Sequence, residues 1–308
     1  MTYSSGGLIQ AADFNGFAGT TGVGSAATIN QIWNIGTGNC GYGQTAIATV
    51  SAGNTVAATN WAALINTLNS IRTHQSGSGS GISAPSAGST VTYLSTLSSA
   101  ISTAYSSRNS YASNGTSTVS TKNLTLSATA SVAASSTVTW TATWASVDQA
   151  RYFFNAGGYL YVVYGTFTNT GATARGTSIN TLCQTNYNYK VIYANSMSAR
   201  TGAGGTVITD TTAAGYYGLT TSNTVYCQIN STSYYSGDFI QLTAYTNGTA
   251  GSYGANGNIL TIIFTAYSGT TGSTQPADAI NITQGMSLYA VYPETTNLTH
   301  SWGTVTLA

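Results

Sequence analysis

The chain has 308 residues, of which only seven are Lys or Arg and six Asp or Glu, for a formal net charge of +1, while 42% are hydrophobic. That balance excludes disorder, which pairs low hydrophobicity with high net charge, and it leaves no basic patch to displace counterions from nucleic acid. Apolar residues never run for the roughly 18 positions of a membrane span, and the opening residues lack the basic start and apolar core of a secretory signal. Synthesis in a cytoplasm and no membrane partner are therefore expected.

From Met1 to about Thr121 the recognisable periodicity is helical, interrupted by glycine-rich turns. The segment IWNIGTGNCGYGQT places four glycines around Cys40 and Tyr42. A phosphate cradle would need a Lys alongside such a loop, and no Lys or Arg precedes Arg72. The loop is instead expected to serve tight turns or the close approach of another chain. Trp61, Leu64, Ile65, Leu68 and Ile71 then recur at spacings of three and four, which predicts a helix started by Thr59 or Asn60. A second stripe, Tyr93, Leu94, Leu97, Ile101, Ala104 and Tyr105, follows the Ser/Gly linker SGSGSGISAPSAGST and predicts a partner helix.

Beyond Thr121 the pattern becomes the two-residue alternation of strands. Leu124 and Leu126, then Val138, Trp140, Ala142 and Trp144, alternate with Ser, Thr or Asn. A short helix is predicted in SVDQARYFFNAGG, opened by Ser146 or Asp148 and stopped at Asn155, Gly157 and Gly158. Strands are predicted in YLYVVYGTF, NYKVIYAN, TVYCQINS, DFIQLTAYTN, NILTIIFTAYS, MSLYAVYP and GTVTLA. The expected fold is α+β and mainly β: a helical docking or oligomerisation module, 1–121, followed by an antiparallel β-sandwich or jelly-roll-like domain, 122–308.

Residues that could carry chemistry are few. Asp13, Asp148, Asp210, Asp238, Asp278 and Glu294 include no close pair in sequence, though folding could unite two such as Asp210 and Asp238. His74 and His300 are the only histidines; neither lies in a nucleophile elbow, and His74 suits a helix end. Cys40, Cys183 and Cys227 lack zinc-site spacing and read as core filler, with a Cys183–Cys227 disulfide the minor alternative. No catalytic residue, metal or cofactor is expected. The abundant side chain is Tyr, with 22 copies. The doublets Tyr216–Tyr217 and Tyr234–Tyr235 cannot both face inward on a strand, so one of each is expected on a contact surface, against the plain alternative that Tyr is a good strand former.

Five segments together, TYSSGGLIQAADFN, IWNIGTGNCGYGQT, VSAGNTVAATNWAALINTLNSIRTHQ, ARYFFNAGG and NLTHSWGTV, make most of the chain resemble virion structural proteins of tailed cyanobacterial phages. The resemblance implies a non-enzymatic particle component of the tail, neck, baseplate or fibres, located in the virion and partnered by other virion proteins. A neutral polar surface agrees with it, since assembly would be insensitive to salt and a symmetric homo-oligomer would follow naturally. The rivals are a carbohydrate-binding adhesion module recognising host glycans, a capsid decoration protein, an envelope-degrading enzyme and a self-polymerising extracellular filament subunit.

Overall fold

The computed structural model describes residues 9–19, 27–129, 132–169, 173–187, 189–232, 235–249, 256–269 and 278–308. It is an α+β structure, mainly β, with its helices mostly early and its strands late in the chain. The contacts divide it into two units: unit 1 is Met1–Thr116, Ala145–Gly158 and Tyr292–Gly303, and unit 2 is Ser117–Trp144, Tyr159–Val291 and Thr304–Ala308. The single cut expected near Thr121 is thus replaced by a division in which two later segments return to unit 1. Periodicity is a local signal and does not register such returns, which rest on hydrogen bonds across more than a hundred residues.

Unit 1 holds α1 (Ala11–Ala18), α2 (Ile29–Trp33), α3 (Ala58–Ser76), α4 (Leu94–Ser106) and α5 (Val147–Asn155). The predicted stripe of α3 is wholly buried at Trp61, Leu64, Ile65, Leu68 and Ile71. Asn60 does help open this helix, by accepting from the Ala57 N–H at 2.9 Å, and Gly77 ends it in the left-handed region at φ 78°. The Phe14 and Trp61 rings meet edge to face, with centroids 5.5 Å apart. In α4, Leu97, Ile101 and Ala104 are buried. Helix α5 begins, as expected, on Ser146, whose hydroxyl accepts from the Gln149 N–H.

What gathers the three segments of unit 1 is the glycine-rich loop. Arg151, from α5, is 4% exposed and donates to the carbonyls of Ile35, Gly36, Gly38 and Cys40 at 3.1–3.4 Å, with Asp148 as its one carboxylate partner at 2.7 Å. Asn155, one turn on, donates to the carbonyls of Cys40 and Gly41. Turning this many carbonyls inward needs left-handed backbone: Gly41 has φ 92°, and a Cβ there would lie 2.1 Å from the Ile35 oxygen. Gln44 completes the knot by donating to the Thr299 carbonyl and accepting from the Thr299 N–H, both at 2.8 Å.

Unit 2 contains two antiparallel sheets. The smaller runs β1 (Asn114–Ala128), β9 (Ile280–Pro293), β3 (Tyr159–Asn169), β4 (Tyr189–Ile192). The larger runs β10 (Thr306–Leu307), β2 (Ala134–Thr143), β8 (Ile259–Ser268), β7 (Phe239–Thr246), β6 (Thr224–Asn230), β5 (Thr206–Asp210). Four consecutive strands, β5 to β8, are neighbours in sequence order, so the sandwich is built on a meander rather than on jelly-roll order. Buried residues alternate along β2 and β8 as a half-buried strand requires. The inner faces of the sheets meet where Tyr164 of β3 sets its ring edge-on to Phe264 of β8, 5.2 Å between centroids. Helix α6 (Ala174–Thr181) carries Arg175, which is fully buried and donates to Ser268 Oγ and to the carbonyls of Val132, Gly269 and Asp278.

Replacing Arg151 by Leu takes this donor from the carbonyls of Ile35, Gly36 and Gly38, while the Cys40 carbonyl keeps Asn155. The expected loss is about 1–3 kcal/mol for each buried acceptor left unsatisfied, read as a lower urea midpoint; an unchanged midpoint would show that the glycine-rich loop holds its shape without the guanidinium.

Candidate functional site

The buried ionisable groups are tied into the fold by ion pairs or by hydrogen bonds to hydroxyl and backbone groups. His74 Nδ1 lies 3.0 Å from Glu294 Oε1, with both side chains nearly inaccessible to solvent. Burial lowers the pKa of His74 against the pull of Glu294, which leaves a neutral imidazole whose Nδ1–H donates to the carboxylate. For Glu294 burial alone would raise the pKa, but hydrogen bonds from His74, from the Asn297 side chain and from the N–H groups of Thr296 and Asn297 outweigh it and hold the carboxyl at about 2. Lys190 donates to Asp210 at 2.5 Å and to the Ser198 carbonyl. Asp238 accepts from Ser268 Oγ and the Gly269 N–H, and burial raises its pKa. Asp210 and Asp238, the pair named from sequence, are therefore held by separate partners. Asp13 accepts from the Gln10 N–H at the start of α1, Asp148 pairs with Arg151, and Asp278 accepts from the Tyr235 hydroxyl. His300 lies on the 292–303 return, its ring 5.2 Å from that of Trp302.

Cys40, Cys183 and Cys227 are all buried free thiols. Burial pushes the pKa of Cys183 and of Cys227 up to about 12, which suits core packing and opposes thiolate chemistry.

The tyrosine doublets lie elsewhere than expected. Tyr216 and Tyr217 are only 1% and 5% exposed, so neither offers a contact surface. They sit on a single 3-10 turn, Tyr216–Gly218, rather than on a strand, and at three residues per turn both rings can enter the core, where they pack edge to face at 5.0 Å. Tyr235 is half-buried, and Tyr234 lies outside the described residues.

A half-buried tyrosine surface exists instead on the outer face of the four-stranded sheet. Register places Tyr289 of β9, Tyr161 of β3 and Val191 of β4 side by side in one row. Tyr161 and Tyr289 stack with centroids 4.7 Å apart and planes within 5°. In the next row Tyr159 packs on Tyr193, 5.5 Å away, and also touches Tyr161 at 6.1 Å. Tyr189, 41% exposed, borders the group. Tyr159, Tyr161, Tyr189, Val191 and Tyr193 line a shallow cavity of about 270 Å³. Burial raises the pKa of Tyr159, helped by the neighbouring Tyr193, Tyr161 and Tyr189, so its hydroxyl stays protonated at neutral pH. No lining residue is charged. The signal for this face is present in the sequence as i, i+2 spacing, Tyr159 with Tyr161 and Tyr189 with Val191 and Tyr193, inside segments predicted as strands.

Against this geometry, comparison with protein-family models, curated proteins and solved structures finds no match.

The His74–Glu294 pair has a consequence for acid stability. A carboxyl held at about 2 in the fold, against 4.5 ordinarily, contributes stability that is complete above about pH 4.5 and is lost as pH falls toward 2. Urea midpoints measured across that window should fall for the natural chain. Glu294→Gln should start lower at pH 7 and vary less with pH; equal steepness in both proteins would assign the acid sensitivity to another group.

Proposed function

We propose that this chain is a non-enzymatic structural component of a tailed cyanobacterial phage particle, associated with the tail, neck, baseplate or fibres, which assembles as a symmetric oligomer with itself and other virion proteins. One observation carries the reading: the residues of the resembling segments are the ones that build the framework of unit 1. Arg151 and Asn155 of ARYFFNAGG grip the glycine-rich loop, and Gln44 of that loop grips Thr299 of the closing segment. From IRTHQ, His74 grips Glu294. Motifs spent on internal framework fit a scaffold better than a catalyst. The burial of Arg151, Arg175, Lys190, Asp238 and Glu294 makes the exterior still more neutral than the composition implies, which favours contacts made by shape and hydrogen bonding.

A second reading, adhesion to a host-surface glycan, is favoured by the tyrosine face of the four-stranded sheet and is compatible with a place in the particle.

Electron microscopy of particles decorated with antibody against this chain tests the first reading. Label on the tail or its appendages is the expected result. Label confined to the head would reassign the chain to capsid decoration. Absence of label, with filaments grown from the purified chain alone, would overturn the particle assignment in favour of a self-polymerising subunit.

A further inference from the structure

We propose that the tyrosine face of the four-stranded sheet is a binding site for a neutral saccharide, one pyranose ring of which seats in the cavity lined by Tyr159, Tyr161, Tyr189, Val191 and Tyr193. This rests on the adhesion reading and supplies its ligand class.

Charge narrows the ligand first. The lining contains four phenols and one aliphatic side chain, with no cation to receive a phosphate, sulfate or carboxylate and no anion to balance an ammonium group. Burying an ionised ligand against such a wall would cost its hydration without a paired charge. The guest is therefore uncharged.

Shape narrows it further. A quaternary ammonium is held by a cage of aromatic faces that surround it, each within about 6 Å of the charge. Here the rings are already in contact with one another, at 4.7 Å for Tyr161–Tyr289, 5.5 Å for Tyr159–Tyr193 and 6.1 Å for Tyr159–Tyr161. They leave no slot between faces for a cation to enter, and a guest is held instead in the shallow cavity that the side chains line together. The volume, about 270 Å³, falls just below the roughly 300–1,000 Å³ of sites for drug-sized molecules and suits a single ring of a longer chain.

Hydrogen bonding selects among flat neutral guests. Each phenol offers one donor and an acceptor oxygen, and Tyr159, Tyr161, Tyr189 and Tyr193 all line the one cavity. An apolar guest would strip those hydroxyls of water without replacing the bonds. A pyranose has an apolar C–H face for the rings and equatorial hydroxyls for the phenols, so it satisfies both.

The face is also preorganised. It stands on ladder-paired strands, with Tyr161 in register with Tyr289 on one side and Val191 on the other, so little side-chain entropy is lost when the guest arrives. Contact with one ring per chain is small, and symmetric copies would multiply it through avidity.

The test uses the full chain and a panel of immobilised neutral gluco-, galacto- and manno-oligosaccharides, with sulfated oligosaccharides and phosphocholine beside them. Retention on at least one neutral oligosaccharide, and not on the charged probes, is expected. Tyr193→Ala should weaken it about tenfold at an unchanged urea midpoint, and Tyr193→Phe should weaken it less, because stacking survives without the hydroxyl. Should Tyr193→Ala unfold the chain, Tyr189→Ala at the exposed border is the replacement, with the same expected direction. Binding unaffected by these substitutions, retention on phosphocholine or sulfated probes alone, or no retention on any neutral oligosaccharide would overturn the proposal. Particle labelling and oligosaccharide retention are separate readouts, so failure to bind leaves the particle assignment standing. Retention on a neutral oligosaccharide that Tyr193→Ala does not weaken would overturn this site and leave the adhesion reading intact.

Discussion

Two buried guanidinium groups organise this protein, one in each unit. Arg151 and Arg175 are withdrawn from water and satisfied chiefly by backbone carbonyls. Desolvating a charge costs several kcal/mol, and hydrogen bonds to charged groups return about 1.5–3 kcal/mol each. Such a group is therefore tolerable only when its acceptors converge, and that requirement shapes the chain around it. In unit 1 it accounts for the glycine-rich loop. Gly36 and Gly41, at φ 55° and 92°, let carbonyls turn toward Arg151 where a side chain would collide with neighbouring backbone. The loop is the inverse of a phosphate cradle, which aims N–H groups at an anion.

The same constraint bears on the exterior. In a chain with so few charges, enclosing Arg151, Arg175, Lys190, Asp238 and Glu294 leaves a surface governed by hydroxyls, amides and aromatic rings. Contacts with such a surface depend weakly on salt and strongly on fit. The tyrosine face follows the same logic, with four phenols and no ionised neighbour in its lining.

Much of the fold was legible in the sequence because it rests on local signals. The stripe from Trp61 to Ile71 and the alternation from Val138 to Trp144 state directly which side is buried, and Ser146 marks a helix start. What periodicity could not supply was partnership at long range. Nothing within 145–158 or 292–303 says that these segments join unit 1, since their ties are Arg151 to Cys40, Gln44 to Thr299 and His74 to Glu294. The candidate site was misplaced for a related reason. Adjacent tyrosines on a strand must point opposite ways, whereas Tyr216 and Tyr217 sit on a tight turn that buries both. The tyrosine face comes from Tyr159 and Tyr161 of β3, Tyr189 and Tyr193 at either end of β4 and Tyr289 of β9, and it becomes visible only when the register of the three strands aligns them.

The enclosure of the two guanidinium groups is open to direct measurement. Hydrogen exchange at the arginine Nε–H protons, followed by nitrogen-15 NMR on the intact chain, measures that enclosure. Slow exchange at Arg151 and Arg175, set against rapid exchange at Arg72, is the predicted result. Rapid exchange at Arg151 or Arg175 would contradict the account, because a solvated guanidinium could not be what draws the carbonyls of its unit together.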